Sequence, residues 1–306
     1  MSVIFFGTPE FAVPSLKALL ASGEDISLVV TQPDRAKGRG HNLSSPPVMV
    51  ISREAALSVA QPERLRDEAL VRQLAGLKPE FIIVVAYGRI LPEAILHLPM
   101  LGCINVHASL LPKYRGAAPM AWAIVNGERK TGVTTMLMEE GLDTGDILLQ
   151  EEEEIHDDDT TGSLGRRLSE LGASLLISTV KGMRNGSVIP IPQAGEASYA
   201  PPLKKEDGRI NWAKSAGDLF NMVRGMQPWP GAYCDIGSER VTFLRTREVS
   251  GQGEPGVISL VSKDAFFVGT GKGLLAVMEL QPAGKKPMSA AAFIQGRRLR
   301  QGMPLR

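Results

Sequence analysis

Short apolar runs alternate with amphipathic stretches along the first half of the chain. Several runs are continuously apolar, which is typical of strands buried on both faces of a parallel sheet. The predicted strands are Val3–Phe6, Ser27–Thr31, Phe81–Ala86, Cys103–His107 and Val133–Met138. Helical patterns separate them at about 10–22, 63–76 and 117–126. This alternation predicts an α/β domain with a doubly wound, mostly parallel sheet and right-handed crossovers.

The pattern changes after one long helix. Leucines three or four residues apart form a stripe over residues 163–184, which predicts a helix that ends at Asn185 and Gly186. Residues 186–208 contain four prolines together with glycine and lysine, and this composition predicts a linker between two domains. The first domain is therefore expected to span residues 1–185.

Residues 209–306 show the pattern of a small β domain. A helix is predicted at about 213–225. Short strand-like runs punctuated by glycines follow it, and their spacing predicts a small antiparallel barrel or sandwich. The runs lie near 232–236, 240–245, 256–261, 265–268 and 274–278.

Composition narrows the class of protein. The 306 residues are 43% apolar and 22% charged, which is ordinary for a folded globular chain. No apolar stretch approaches the roughly 18–20 residues that a membrane span needs, and the first residues lack the features of a targeting segment. The two cysteines form no disulfide framework and no zinc cluster. We therefore expect a bacterial cytoplasmic protein that binds neither a membrane nor a metal.

The charge is unevenly distributed, although the net charge is only +1. Residues 1–185 contain 18 Lys and Arg against 23 Asp and Glu, whereas residues 186–306 contain 16 against 10. This asymmetry predicts a polyanionic partner for the second half. Charge alone leaves open the alternative of a solvated basic surface that binds nothing.

A long polar segment follows the second predicted strand. Residues 31–47 contain little apolar material, and ligands of open α/β sheets bind at the carboxyl ends of strands. Three basic residues, Arg35, Lys37 and Arg39, are accompanied only by Asp34. Long loops in compact domains are usually functional or disordered, and we predict a loop that closes on a phosphate-bearing substrate.

Candidate catalytic residues lie at the end of the fourth strand. Asn105 and His107 are two residues apart on a buried strand, so their side chains share one face. A buried polar pair is costly unless it is hydrogen-bonded, and near a strand end it often serves a ligand. Residues 138–147 follow another buried strand, and they contain Asp143 and Asp146. One of these carboxylates is expected to orient the imidazole, and the spacing leaves open which one.

Two further segments give no indication of a cofactor or metal site. The first turn, Gly7-Thr8-Pro9-Glu10, does not match a dinucleotide-binding pattern. The acidic residues 151–154 and 157–159 are expected to form a solvated sheet edge, because consecutive residues of a strand face opposite sides.

Five blocks of sequence resemble signatures of the folate-dependent formyltransferases. Four lie in the first half and the fifth resembles the C-terminal domain of the members that act on methionyl-tRNA. The blocks are FGTPEFAVPSL at the start, VVAYGRILP at 84–92, INVHASLLPKYRGAAP at 104–119, GLDTGDIL at 141–148 and KSAGDLFNMVRGMQPWPGA at 214–232. The resemblance implies a Rossmann-like formyltransferase domain, a linker and an OB-like β-barrel, a fold that commonly binds oligonucleotides. It also implies formyl transfer from 10-formyltetrahydrofolate to the α-amine of initiator methionyl-tRNA.

The resemblance further implies individual roles. Asn105, His107 and Asp143 match the family's catalytic residues, which selects Asp143 over Asp146. Arg39 matches an arginine that contacts the acceptor end of the tRNA, and Arg35 and Lys37 are expected to contact phosphate beside it. The residues expected to bind folate are Ala86, Tyr87, Gly88, Arg89, Ile90, Leu91, Ser109, Leu110, Leu111 and Pro112.

Other functions remain as alternatives. A sugar amine, a purine precursor or water would replace the aminoacyl-tRNA as acceptor in related enzymes. A noncatalytic tRNA- or oligonucleotide-binding protein is an alternative of another class, which the intact Asn105, His107 and Asp143 disfavour. We expect a monomer.

Overall fold

In the computed structural model, which describes residues 2–37 and 42–306, the chain forms two units. The first contains Met1–Pro119, Lys130–Glu154 and Gly165–Ala200. The second contains Met120–Arg129, Ile155–Leu164 and Pro201–Arg306.

The first unit is built on one central sheet, with short paired segments beside it. Its strands are β1 (Ser2–Gly7), β2 (Asp25–Val30), β3 (Arg35–Lys37), β4 (Asn42–Ser44), β5 (Val59–Ala60), β6 (Phe81–Val85), β7 (Cys103–His107), β8 (Arg115–Gly116), β9 (Lys130–Leu137), β10 (Ile147–Glu154) and β11 (Tyr199–Ala200). The helices are α1 (Val13–Ala21), α2 (Pro47–Glu54), α3 (Glu68–Gly76), α4 (Glu93–Leu96), α5 (Pro119–Val125) and α6 (Thr161–Asn185), of which α5 and α6 run across the boundary between the units.

The central sheet has the strand order β10-β9-β7-β6-β1-β2-β5. The five strands from β7 to β5 are parallel, while β9 runs antiparallel to β7 and β10 antiparallel to β9. The predicted α/β class with a mostly parallel sheet is therefore confirmed. The fifth predicted strand forms as part of β9, but it does not continue the parallel order, because an apolar run does not encode its direction.

The innermost strands are apolar along their whole length because helices or other segments cover both faces. All five residues of β6 are buried, as are five of the six residues of β1. Phe5 and Phe6 point to opposite faces of β1, and both are fully buried. This rigid centre fixes the positions at which the strands end.

The second unit contains an antiparallel sheet around an apolar core. Its elements are α7 (Ala216–Gly225), β12 (Ala232–Ile236), β13 (Glu239–Val249), β14 (Ile258–Val261), β15 (Phe266–Gly269), β16 (Leu274–Pro282), β17 (Met288–Ser289) and α8 (Ala290–Arg297). The strand order is β12-β13-β16-β15-β14, with β17 beside β16. Leu305 bridges Ile236 of β12, and Pro304 bridges Val257 just before β14. The last residues thus connect the two outer strands, and the small antiparallel β domain that the spacing predicts is confirmed.

The two units differ from the predicted domain boundaries. Segments 120–129 and 155–164 come from the predicted first domain, residues 1–185, but belong to the second unit. Trp122 Nε1 donates to the Pro201 carbonyl over 2.8 Å, and Arg224 Nη1 donates to the carbonyls of His156 and Asp159. Residues 186–200 of the predicted linker belong to the first unit, where β11 pairs with β8.

Candidate active site

Two polar side chains share one face of β7. Asn105 and His107 are two residues apart on this strand, so both side chains point the same way. His107 is the last residue of the strand, and 6% of its surface is exposed. The carboxyl end of a central parallel strand is where open α/β sheets bind ligands.

Asp143 adds a carboxylate to this pair. Its Oδ1 accepts a hydrogen bond from Asn105 Nδ2 over 3.4 Å, and its Oδ2 lies 3.6 Å from His107 Nδ1. The Gly116 amide donates to the same Oδ2 over 2.8 Å. The structure thus places Asp143 beside His107, and Asp143 is one of the two aspartates between which the spacing left the choice open.

A backbone carbonyl defines which nitrogen of His107 carries hydrogen. His107 Nε2 lies 3.0 Å from the Tyr114 carbonyl oxygen, and because a carbonyl only accepts, Nε2 is the donor. Nδ1 faces Asp143 at 3.6 Å, which is too long for a hydrogen bond. The sequence predicts that a carboxylate orients the imidazole, whereas in the structure the orienting hydrogen bond goes to Tyr114.

The loop that carries Asp143 is tightly folded. The backbone of Asp143 has a φ of 51°, in the left-handed region that non-glycine residues rarely adopt. The Leu137 amide donates to the Asp146 carbonyl over 2.9 Å, which closes the loop onto the end of β9. A side chain at Gly145 would collide with the Leu137 carbonyl. Glycine at this position lets the loop pass close to the strand.

Buried polar contacts hold the segment after β7. Thr134 of β9 donates through Oγ1 to the Ser109 carbonyl over 2.7 Å and accepts from the Leu111 amide over 3.1 Å. Gln150 Nε2 donates to the Leu111 carbonyl over 2.9 Å. Of the predicted folate-binding residues in this segment, Ser109 and Leu111 are buried, and Leu110 and Pro112 are partly exposed.

A cavity of about 560 Å³ opens at the ends of β1, β2 and β6. β1 lies between β2 and β6, and the chain reverses the order of its strands here. Ligands bind at such a switch point in open α/β sheets. Four of the residues predicted to bind folate contribute to the lining, namely Ala86, Tyr87, Gly88 and Arg89.

Tyr87 anchors the wall of this cavity. Its carbonyl accepts from Thr8 Oγ1 over 3.1 Å and from Gln32 Nε2 over 3.2 Å. Burial raises the pKa of its phenol, although the nearby Arg89 charge acts in the opposite direction. The last two predicted folate residues of this segment differ in exposure. Ile90 is 82% exposed, whereas Leu91 is buried.

The polar loop after β2 is described only in part. Arg35 is exposed, lines the cavity and begins a short hairpin in which its backbone pairs with Ser44. The backbone of Lys37 pairs with Asn42, and the predicted tRNA contact at Arg39 lies outside the described residues. The neighbouring Asp34 accepts hydrogen bonds from Gln61 and Ser45, which lower the pKa of its carboxyl.

Residues of the predicted linker also reach the site. Gln193 Nε2 donates to the carbonyl oxygens of Asp143 and Gly145, and Ser198 Oγ accepts from the Tyr114 amide. Sequence patterns do not reveal these contacts, because the four prolines in 186–208 are typical of a linker. No periodic pattern marks a side chain that bonds to the backbone of a distant loop.

Metal sites and membrane-spanning helices are absent from the part of the chain that the structure describes. Within residues 2–37 and 42–306, no group of three or more His, Cys, Asp or Glu side chains is placed to hold a metal ion. No helix in the same part of the chain has the length and apolar character needed to cross a membrane.

Two family descriptions match the chain. Formyl transferase matches residues 1–180, and Formyl transferase, C-terminal domain matches residues 202–298. The methionyl-tRNA formyltransferase of Thermodesulfovibrio yellowstonii is 54% identical over 301 residues, which cover 98% of this chain and 97% of that protein. The protein of the same name from Pelotomaculum thermopropionicum is 48% identical over 308 residues, covering 100% of this chain and 98% of its own.

A solved structure shares the fold. The sugar 3N-formyl transferase WlaRD, crystallised in the presence of dTDP and 5-N-formyl-THF, aligns with a TM-score of 0.69. The alignment covers 94% of this chain and 99% of that one at 19% sequence identity. At this identity the likeness concerns the fold and not the acceptor.

Proposed function

The chain belongs to the formyl transferase family, and we propose on that premise that it formylates the α-amine of initiator methionyl-tRNA, with 10-formyltetrahydrofolate as the donor. One observation carries the proposal at the level of chemistry. The Asn105 amide and the His107 imidazole each lie within 3.6 Å of the Asp143 carboxylate, at the end of a central strand. The full-length similarity to methionyl-tRNA formyltransferases supports the choice of acceptor. The product is the aminoacyl-tRNA that starts bacterial translation.

The reaction joins an amine nitrogen to a formyl carbon. A free α-amine has a pKa of roughly 7.7–8.0, and the neighbouring ester lowers it, so much of the nucleophile is neutral near pH 7. The carbonyl electron pair moves to oxygen as the new bond forms. The bond from carbon to N10 then breaks, the amine loses a proton and N10 gains one. The enzyme's main tasks are to align two substrates and to stabilise the oxyanion.

Asn105 is suited to stabilise that oxyanion. A side-chain amide carries two N–H donors, and one of them points to Asp143 Oδ1. Asn105 can therefore hold the carboxylate and still donate to the formyl oxygen. Its place on a buried strand fixes the donor before substrate arrives, as electrostatic stabilisation requires.

His107 and Asp143 share the proton chemistry. Nε2 of His107 is committed to the Tyr114 carbonyl, so Nδ1 is the atom that faces the reaction side. Nδ1 donates to the oxyanion when the ring carries a second proton, with the Asp143 carboxylate 3.6 Å away. Asp143 accepts the amine proton directly or through one water. Neither step requires a metal ligand.

The cavity at the ends of β1, β2 and β6 has features suited to substrate groups and lies at the switch point of the sheet. It offers backbone at Ala86–Arg89 and the exposed cation of Arg35. We assign folate to the Ala86–Leu91 and Ser109–Pro112 segments, and the phosphates of the tRNA acceptor end to Arg35, Lys37 and Arg39. The excess of basic residues in 186–306 supports a polyanionic partner for that part of the chain.

A donor assay tests this proposal. The protein is incubated with methionyl-tRNA and either 10-formyl- or 5-formyltetrahydrofolate, and both tetrahydrofolate release and formylated tRNA are measured. We expect equal amounts of both products with the 10-formyl donor and none with the 5-formyl donor. Tetrahydrofolate without formylated tRNA would indicate water or a small amine as acceptor. No release with either donor would support a binding protein without catalysis.

A further inference from the structure

Residues 189–200, which we name the strap, lie against both loops that form the active site. Ile191 exchanges two backbone hydrogen bonds with Ile147, of 2.8 and 2.9 Å, at the end of the Asp143 loop. Further along, the Ser198 carbonyl accepts from the Arg115 amide over 2.8 Å. The strap thus connects the loop after β9 to the loop after β7.

Gln193 makes the central contact of the strap. Its Nε2 donates to the carbonyl oxygens of Asp143 and Gly145, both over 2.8 Å. Its Oε1 accepts from Nε and Nη2 of Arg115, over 3.1 and 2.7 Å. Both donors and the acceptor of this amide are therefore used. Few other side chains offer two donors and an acceptor in this arrangement.

Gln193 contacts the backbone at a residue with an unfavourable conformation, Asp143. Asp143 has a φ of 51°, and such conformations persist only when the surrounding structure holds them. The carbonyl of this same residue is one of the two that Gln193 binds. The Gly116 amide, next to Arg115, holds the Asp143 carboxylate over 2.8 Å. Gln193 therefore connects the two backbone segments that hold Asp143.

Ser198 supports the other half of the cluster. Its Oγ accepts from the Tyr114 amide over 2.9 Å, and Tyr114 has a φ of 60°. The carbonyl of Tyr114 is the group to which His107 Nε2 donates. The strap therefore reaches His107 through Tyr114 and Asp143 through Gln193.

We propose that Gln193 is a positioning residue for formyl transfer, which fixes Asp143 relative to His107 and Asn105 without touching a substrate. The proposal rests on the function proposed above. Loss of Gln193 should lower kcat and leave KM for both substrates nearly unchanged, because its hydrogen bonds go to Arg115, Asp143 and Gly145, which lie outside the segments assigned to folate and tRNA. Displacements of about 1 Å in a catalytic site cost rates on the order of 10²-fold.

Two variants and one control test the proposal in the full-length protein. Gln193→Ala removes both donors, and Gln193→Glu keeps the shape but sets carboxylate oxygens against two carbonyls. We expect kcat to fall about 10- to 100-fold in both, with each KM within threefold of wild type. Arg184→Lys is the control, since it disturbs the ion pairs with Glu24 and Glu80, which precede β2 and β6 at the opposite end of the sheet. It should lower Tm and leave kcat unchanged.

Amide hydrogen exchange provides a readout that does not depend on turnover. In substrate-free Gln193→Ala, amides within 141–147 should exchange faster than in wild type, whereas Arg184→Lys should leave them unchanged. Unchanged exchange and a wild-type kcat in Gln193→Ala would overturn the proposal. The proposal would also be overturned if kcat of Gln193→Ala fell no further than kcat of a control variant with the same Tm. If the wild-type protein shows no turnover, the proposed function is contradicted. The exchange result then tests by itself whether Gln193 holds the Asp143 loop in place.

Discussion

Truncation of the Asn105 side chain would remove a hydrogen-bond donor but little packing. Asn105 lies on a strand fixed by neighbours on both sides, and its amide donates to Asp143. In the proposed mechanism, its contribution to catalysis depends on one N–H donor to the formyl oxygen.

We expect Asn105→Ala to lower kcat by about 10²–10³, the typical cost of removing one oxyanion donor. KM for both substrates should change little, because the donor acts on the charge that develops in the transition state. Steady-state kinetics with methionyl-tRNA and 10-formyltetrahydrofolate measures this. Normal turnover in a folded variant would remove Asn105 from the mechanism.

The two thiols of the chain give a second prediction at this scale. Burial raises the pKa of the Cys103 thiol to about 12, and burial also raises the pKa of Cys234. Since only the thiolate reacts, neither thiol should react with a thiol reagent at pH 8 in the native protein. Both should react after unfolding in denaturant. Rapid labelling of one thiol in the native state would contradict the burial of that side chain.

Among the elements, the Asp143 loop depends on close contact with β9. Gly145 passes against the Leu137 carbonyl, where no side chain fits. The same loop holds Asp143, the carboxylate proposed to take part in catalysis, so the proposal links packing at this glycine to activity.

Gly145→Ala should therefore destabilise the protein by about 1–3 kcal/mol and also lower kcat. Gly76→Ala is a matched control, because Gly76 ends helix α3 and an added methyl there meets open space. That control should leave the free energy of unfolding unchanged or raise it by up to about 1 kcal/mol. Denaturant unfolding of both variants measures the difference, and equal stability of the two would contradict the predicted collision.

The sequence predicted the elements better than their mutual arrangement. Continuous apolar runs located β1, β6 and β7, and the resemblance to the formyltransferases, confirmed by full-length similarity, selected Asp143 over Asp146. The sequence could not predict that β9 runs antiparallel to β7, because a buried apolar run has the same pattern in either direction.

The strap shows a second limit of sequence patterns. Proline and glycine mark residues 186–208 as irregular, but irregular chain is either a free linker or a bonded connection. Contacts such as those of Gln193 with Asp143 and Arg115 join residues 50 and 78 positions apart. Local composition contains no information on partners at such separations.

At the scale of the whole molecule, the charge differs between the halves. Residues 186–306 carry an excess of Lys and Arg, whereas 1–185 carry an excess of Asp and Glu. Contacts between basic side chains and phosphates release counterions, so their strength depends on salt concentration.

Affinity for methionyl-tRNA should fall steeply with added salt. Each phosphate contact contributes about 0.7–0.9 to the slope of log affinity against log salt. KM for the folate donor should change far less over the same range. Binding titrations at several salt concentrations measure the slope, and a flat response would refute the assignment of the basic half to tRNA.

A comparison of acceptors tests the proposed function most sharply. With 10-formyltetrahydrofolate as donor, the wild-type protein is given methionyl-initiator tRNA, free methionine or uncharged tRNA. We expect formylmethionine only on the charged tRNA, with one tetrahydrofolate released for each formyl group transferred. Formylation of free methionine, or folate turnover without any formylated tRNA, would contradict the central claim that this chain formylates methionyl-tRNA.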